Sequence, residues 1–175
     1  NVAKSGIVST PFVTKQLLEH VIETTRDSRM LINGVGLYAD TLILVGSMED
    51  KPRADAIFDK VRVALSAMAA AERDALLERT LSVLEKLAFV YRDKELLARV
   101  AQMAQMCSDT PLGMTFADYY AAHSILMSGQ NSTRAKDHLL AIQRRRVYGV
   151  THATKREIAE MIVDFDKRVQ RLRQH

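Results

Sequence analysis

Leu37-Tyr38-Ala39-Asp40-Thr41-Leu42-Ile43-Leu44-Val45-Gly46-Ser47-Met48 is the stretch that decides the fold class. Its centre, Thr41 to Val45, has the composition of a buried β-strand. A short apolar run does not separate strand from buried helix by periodicity alone. A strand needs neighbours to pair with, and no other part of the chain supplies one. The segment is therefore expected to be a buried helix, the most apolar of the chain, at the centre of a bundle.

The flanking sequence supports a helical reading. Upstream, Ser9-Thr10-Pro11 is a helix start, a capping hydroxyl followed by proline in the first turn. Phe12, Val13, Leu17, Leu18, Val21 and Ile22 follow at helical spacing, with a stop expected near Asn33-Gly34. Downstream, Pro52 opens a helix whose single face carries Ala54, Ile57, Phe58, Val61, Leu65 and Met68. Ala69-Ala70-Ala71-Glu72 has no breaker, and the helix is expected to bend or pause there before the face of Leu76, Leu77, Leu81, Leu84, Leu87, Ala88 and Tyr91. Arg92-Asp93 reads as a short turn, then Leu96, Leu97, Val100, Met103 and Cys107 form the next helix. Ser108 to Gly113 reads as a loop. Thr115 is expected to cap the following helix, with Asp118 completing the Thr-x-x-Asp start signal. That helix carries Phe116, Tyr119, Tyr120, His123 and Met127. Gly129-Gln130-Asn131 should end it, and Ser132 or Thr133 should start another bearing Leu139, Leu140, Ile142 and Val147, stopped at Gly149. Thr154 and Glu157 make a capping box for a final helix.

Composition agrees. Of 175 residues, only 7 are Gly and 3 are Pro, too few turn formers for a β protein, while 47% are hydrophobic, enough for a sizeable core. The expected architecture is all-α, a single-domain helical bundle of about seven helices, with residues 1–9 as an N-terminal arm and 10–175 as the helical domain.

Charge is unevenly placed. Residues 131–175 hold 11 Lys+Arg against 5 Asp+Glu, a balance of +6, whereas the whole chain is +4. The final helix has an apolar stripe of Ile158, Met161, Ile162, Phe165, Val169 and Leu172, read as a partner-binding face. Its other faces carry Lys155, Arg156, Lys167, Arg168, Arg171 and Arg173. Just upstream lie Arg144-Arg145-Arg146 and Tyr148, with Arg134 and Lys136 on the same helix as the arginine run. Arginine binds phosphate strongly and an aromatic can stack on an unpaired base, so these residues form the candidate anion or nucleic-acid surface. Against this, three consecutive arginines point three ways on a helix, and only one or two share a face. The spacing of Glu157, Ile158, Ala159, Ile162 and Val169 also mimics a helix-turn-helix, but nothing there stops a helix, so one continuous helix is the better reading.

Catalytic signals are missing. Gly34-Val35-Gly36-Leu37-Tyr38-Ala39 spells a dinucleotide-binding turn, but that chemistry needs a preceding strand and a parallel sheet, which this chain does not offer. His20, His123, His138, His152 and His175 do not fall at metal-ligand spacings. His123 beside Tyr119 and Tyr120 reads as a core or interface histidine. Cys107, the single cysteine, sits among methionines and reads as a buried thiol, in keeping with a reducing compartment. The chain opens at Asn1, as a processed product or a fragment would. With no signal peptide and no apolar run of about 18 residues, no membrane span and a cytoplasmic location are expected.

The sequence therefore points to a non-enzymatic helical interaction protein, an adaptor, assembly or regulatory subunit that takes a protein partner or a second copy of itself, with no cofactor and no metal. The alternative is a nucleic-acid-binding subunit that holds phosphate backbone through residues 131–175.

Overall fold

A computed structural model describes residues 10–45, 51–127 and 133–145, together with Lys155, Arg156, Ala159, Glu160 and Val163. The described residues form seven helices and no strand: α1 (Thr10–Thr24), α2 (Ser28–Val45), α3 (Lys51–Ala67), α4 (Ala70–Val90), α5 (Lys94–Met106), α6 (Pro111–Met127) and α7 (Thr133–Arg144). The all-α bundle is thus as expected, and residues 37–45 are helix. The chain divides into two compact units, residues 1–100 and 101–175.

In the first unit, α2 packs against α1, α3 and α4. Leu31, Ile32, Val35, Tyr38, Ala39 and Leu42 are buried along it, as are Ile57, Phe58, Val61 and Leu65 of α3 and Leu77, Leu81, Leu84 and Leu87 of α4. The expected stop at Asn33-Gly34 is overturned: α2 runs straight through both residues. The break comes earlier, at Thr25-Arg26-Asp27, where a side chain does what no Gly or Pro was needed for. The Asp27 carboxylate accepts the Met30 N–H at 2.7 Å and caps α2.

The two glycines of α2 face its neighbours. A methyl on Gly34 would meet Ile22 and Val21 of α1, and one on Gly36 would meet Val83 and Arg79 of α4. Two residues apart on a helix lie about 200° apart, so α2 has neighbours on two opposite sides, with ordinary contact at Gly34 and a tight approach at Gly36. The dinucleotide spelling therefore sits inside a helix, with no turn to cradle a phosphate.

Long side chains tie the remaining elements of this unit together. Arg99 bridges Asp55 (2.9 Å) and Asp59 (2.7 Å) while its guanidinium lies 5.2 Å from the centre of the Phe58 ring. Lys51 reaches Asp93 (3.1 Å) and Glu95 (2.8 Å). Asp93 also caps α5 by accepting the N–H groups of Glu95 and Leu96. The turn before it is a Schellman closure of α4: the Asp93 N–H returns to the Ala88 carbonyl and that of Arg92 to Phe89, with Arg92 at φ 49°. Burial opposes ionisation of Asp93, but the bonds from Lys51 and the two backbone amides outweigh it and hold its carboxyl below the usual carboxylate range. Lys51 is held above the usual lysine range by its bonds to Glu95 and Asp93.

In the second unit, α6 and α7 pack on each other. The start of α6 corrects the sequence reading. The helix begins at Pro111, and Thr110 is its cap, with the Gly113 N–H donating to Thr110 Oγ1 at 3.0 Å. Thr115 lies inside the helix, where its hydroxyl donates to the Pro111 carbonyl. Proline in the first turn suits a helix entry, and the loop reading of residues 108–113 overran it by three residues. Cys107 is fully buried, as expected. The arm at residues 1–9, the stops at Gly129 and Gly149 and the capping box at Thr154 lie outside the described residues.

Candidate functional site

Two places gather exposed or charged chemistry. The first is the outer face of the α1–α2 hairpin. A three-residue connection makes the two helices antiparallel neighbours, and the contacts agree: Gly34 faces Val21 and Ile22, while Tyr38, one turn on, donates its hydroxyl to Glu19 at 3.2 Å. Carried along both helices, that register sets Leu17 level with Leu37, and Val13 level with Thr41, between Leu37 and Leu44. These are the residues left outside. Met30 is 54% exposed, Leu37 57%, Leu44 76%, Val13 51% and Leu17 62%. Phe12 and Ile43 are also exposed, each about 100° round its helix from Val13 and Leu44. On α2 the spacing is seven residues, Met30 to Leu37 to Leu44, which keeps all three on one line along the helix with a drift of about 20° per step. The charged residue nearest the line, Asp40, is turned to Lys86 of α4 in an ion pair.

Sequence reasoning took Phe12, Val13 and Leu17 as part of one apolar series with Leu18, Val21 and Ile22. The structure splits the series, burying Ile22 and exposing the first three. The signal was present. An apolar arc containing both residues 12–13 and residues 21–22 is too wide for one packed face.

Round the side of α1, facing α3, lies a groove of about 220 Å³ lined by Glu19, Ile22, Glu23, Arg53, Ala56, Ile57 and Lys60. Three of its four charged side chains are committed to the fold. Glu19 pairs with Arg53 and with Lys15. Lys60 donates to the carbonyls of Ile22 and Glu23 and so closes the C-terminal end of α1, where a cation offsets the helix dipole. Burial pushes the Tyr38 phenol far above its ordinary value, helped by Tyr91 and Glu19 beside it.

The second place is the basic segment. Arg145 turns inward, donating to Asp118 Oδ2 at 3.0 Å, while His138 Nδ1 lies 2.8 Å from Asp118 Oδ1. Asp118, assigned to a helix start by sequence, instead joins α6 to α7. Arg144 and Arg134 are exposed and Lys136 is partly buried. Lys155 and Arg156 are exposed, Arg156 with Glu160 at 3.6 Å. The arginine run is therefore divided between an outward Arg144 and a structural Arg145. Arg146, Tyr148, Lys167, Arg168, Arg171 and Arg173, and the whole stripe of Ile158, Met161, Ile162, Phe165, Val169 and Leu172, lie outside the described residues.

His123 is partly buried and stacks on Tyr119, ring centres 6.1 Å apart. Among the described residues, no three His, Cys, Asp or Glu side chains stand where they would hold a metal ion. No helix among them is long and apolar enough to cross a membrane. Compared with protein-family models, curated proteins and solved structures, the chain matches none.

Proposed function

We propose that this chain is a non-enzymatic helical interaction protein, an adaptor, assembly or regulatory subunit that docks a partner on the outer face of α1 and α2 in a cytoplasmic setting. The observation that carries the reading is the row of Val13, Leu17, Met30, Leu37 and Leu44, which together leave about three whole apolar side chains exposed on a tightly packed hairpin. Burying them would contribute about 5–9 kcal/mol at ~1.5–3 kcal/mol each. Association costs on the order of 4–15 kcal/mol, so a matching apolar face on the partner brings binding into a useful range. Scattered exposed leucines need no explanation, but a contiguous patch does.

The test is comparative capture with tagged wild type and the Leu37→Asp/Leu44→Asp variant. At least one protein held by the wild type should be lost by the variant, with both chains equally folded by circular dichroism. Identical sets from both chains would refute the assignment of the face.

A second reading, contact with nucleic-acid phosphates, draws on the exposed Arg134, Arg144, Lys155 and Arg156. Its test must leave Arg145 intact, because Arg145→Ala strips Asp118 of a partner and confounds binding with folding. Arg134→Ala/Arg144→Ala should weaken binding and flatten its salt dependence. Binding unmoved by those changes and by salt would remove this reading.

A further inference from the structure

We propose that the occupant of the α1–α2 face is the same face of a second copy, paired about a twofold axis that passes at Leu37. This rests on the interaction reading above and names its partner. The row on α2 is symmetric about its middle member, with Met30 seven residues before Leu37 and Leu44 seven residues after it. A twofold contact requires a surface that complements itself. An antiparallel copy sets Leu37 on Leu37 and Met30 on Leu44 at both ends, so every exposed member of the row meets an apolar one. A seven-residue repeat is also the spacing at which two helices stay in contact along their length.

Charge selects the same orientation. Arg26 and Arg29 are exposed at the start of the hairpin's second helix. A parallel copy would lay these arginines against their counterparts, whereas the antiparallel copy separates the two Arg29 residues by roughly 24 Å at 1.5 Å per residue and the Arg26 residues by more. Asp40, paired with Lys86, adds no repulsion across the axis. The second hairpin also brings Val13 and Leu17 of each copy to the flanks of the row, so two hairpins close into a four-helix arrangement with its apolar side inward.

The geometry makes a crosslinking pattern. Leu37→Cys should form a disulfide-linked dimer on mild oxidation, because the two positions face each other at the axis. Met30→Cys alone should not, since its two copies stand about 21 Å apart and a disulfide spans roughly 4.4–6.8 Å between Cα atoms. A mixture of Met30→Cys and Leu44→Cys chains should link. Cys107 is buried and does not compete. Sedimentation equilibrium should show a monomer–dimer equilibrium in the wild type whose Kd rises at least about tenfold in Leu37→Asp. Leu44→Glu, at the most exposed position of the row, serves if Leu37→Asp fails to fold.

A wild type that remains monomeric at every concentration overturns the proposal, and so does self-linking of Met30→Cys. Either result leaves the interaction reading to the capture comparison. A monomer whose face variant still loses a captured protein means a different partner, and a monomer whose variant loses nothing removes both.

Discussion

Three glycines within helices, replaced one at a time by alanine, should give three different results. At Gly113 the added methyl would stand 1.6 Å from the carbonyl oxygen of Cys107 and 2.6 Å from its carbon, and the third neighbour is Thr110 Oγ1 at 3.0 Å. Backbone rather than a side-chain tip is in the way, so the turn from Cys107 to Thr110 must move as a unit. Overpacking of this kind costs about 1–3 kcal/mol, and a contact this short belongs at the upper end. Alanine recovers at most about 1 kcal/mol of helix propensity. The net loss is about 2 kcal/mol, a fall in melting temperature of roughly 4–8 °C for a chain of this size.

At Gly34 the methyl meets Ile22 Cγ1 at 3.5 Å, ordinary contact, so the propensity gain of roughly 0.5–1 kcal/mol survives and stability rises. At Gly36 it meets Val83 Cγ1 at 3.1 Å and the Arg79 guanidinium at 3.3 Å. The arginine tip can move and the buried valine must give slightly, which brings the change close to zero. Thermal unfolding followed by circular dichroism ranks the three. Tolerance of alanine at residue 113, or a larger loss at residue 34 than at residue 36, would refute the packing argument.

Other expectations follow from single side chains. Arg92→Gly should stabilise by about 1 kcal/mol in urea unfolding, since φ 49° costs a residue with a Cβ and costs glycine little. Asp118→Ala should destabilise by about 1–2 kcal/mol, with a double-mutant cycle against Arg145→Ala showing strong coupling and one against Arg144→Ala showing none. Asp93 has a lowered carboxyl pKa in the fold, so its stabilisation is complete above the unfolded value near 4 and is lost as pH falls through the folded value; the stability gap between wild type and Asp93→Asn should close in that acid window. Tyr38→Phe should remove a tyrosine that stays protonated in an alkaline ultraviolet titration until the chain unfolds.

Most of the helices were legible because their apolar residues repeat at helical spacing. Of the bend or pause expected at residues 69–72, the structure shows a break just before Ala70, and the turn at Arg92-Asp93 is as expected. The errors share a cause. Residue type alone makes Gly34 a stop and Thr115 a cap, but each lies inside a helix that runs through it. Gly34 lies in mid-helix in ordinary contact with α1, and the cap of α6 belongs to Thr110, five residues before Thr115. Exposure of the α1–α2 face could not be read directly, because Leu37 and Leu42 look alike in sequence and only packing separates the exposed one from the buried one. Adjacent arginines carry no sign in sequence of which one has a carboxylate within reach, so only the structure separates Arg145 from Arg144.

The position of α2 between α1 at Gly34 and α4 at Gly36 reaches beyond stability. A helix pressed on both sides has its backbone amides shielded, and its protons should be among the slowest in the chain to exchange with solvent. Met30, Leu37 and Leu44 thus ride on a backbone that its packing against α1, α3 and α4 should hold still. Whatever binds there meets a stiff surface and need not immobilise it, so the ordering entropy of this side of the contact has been expended during folding.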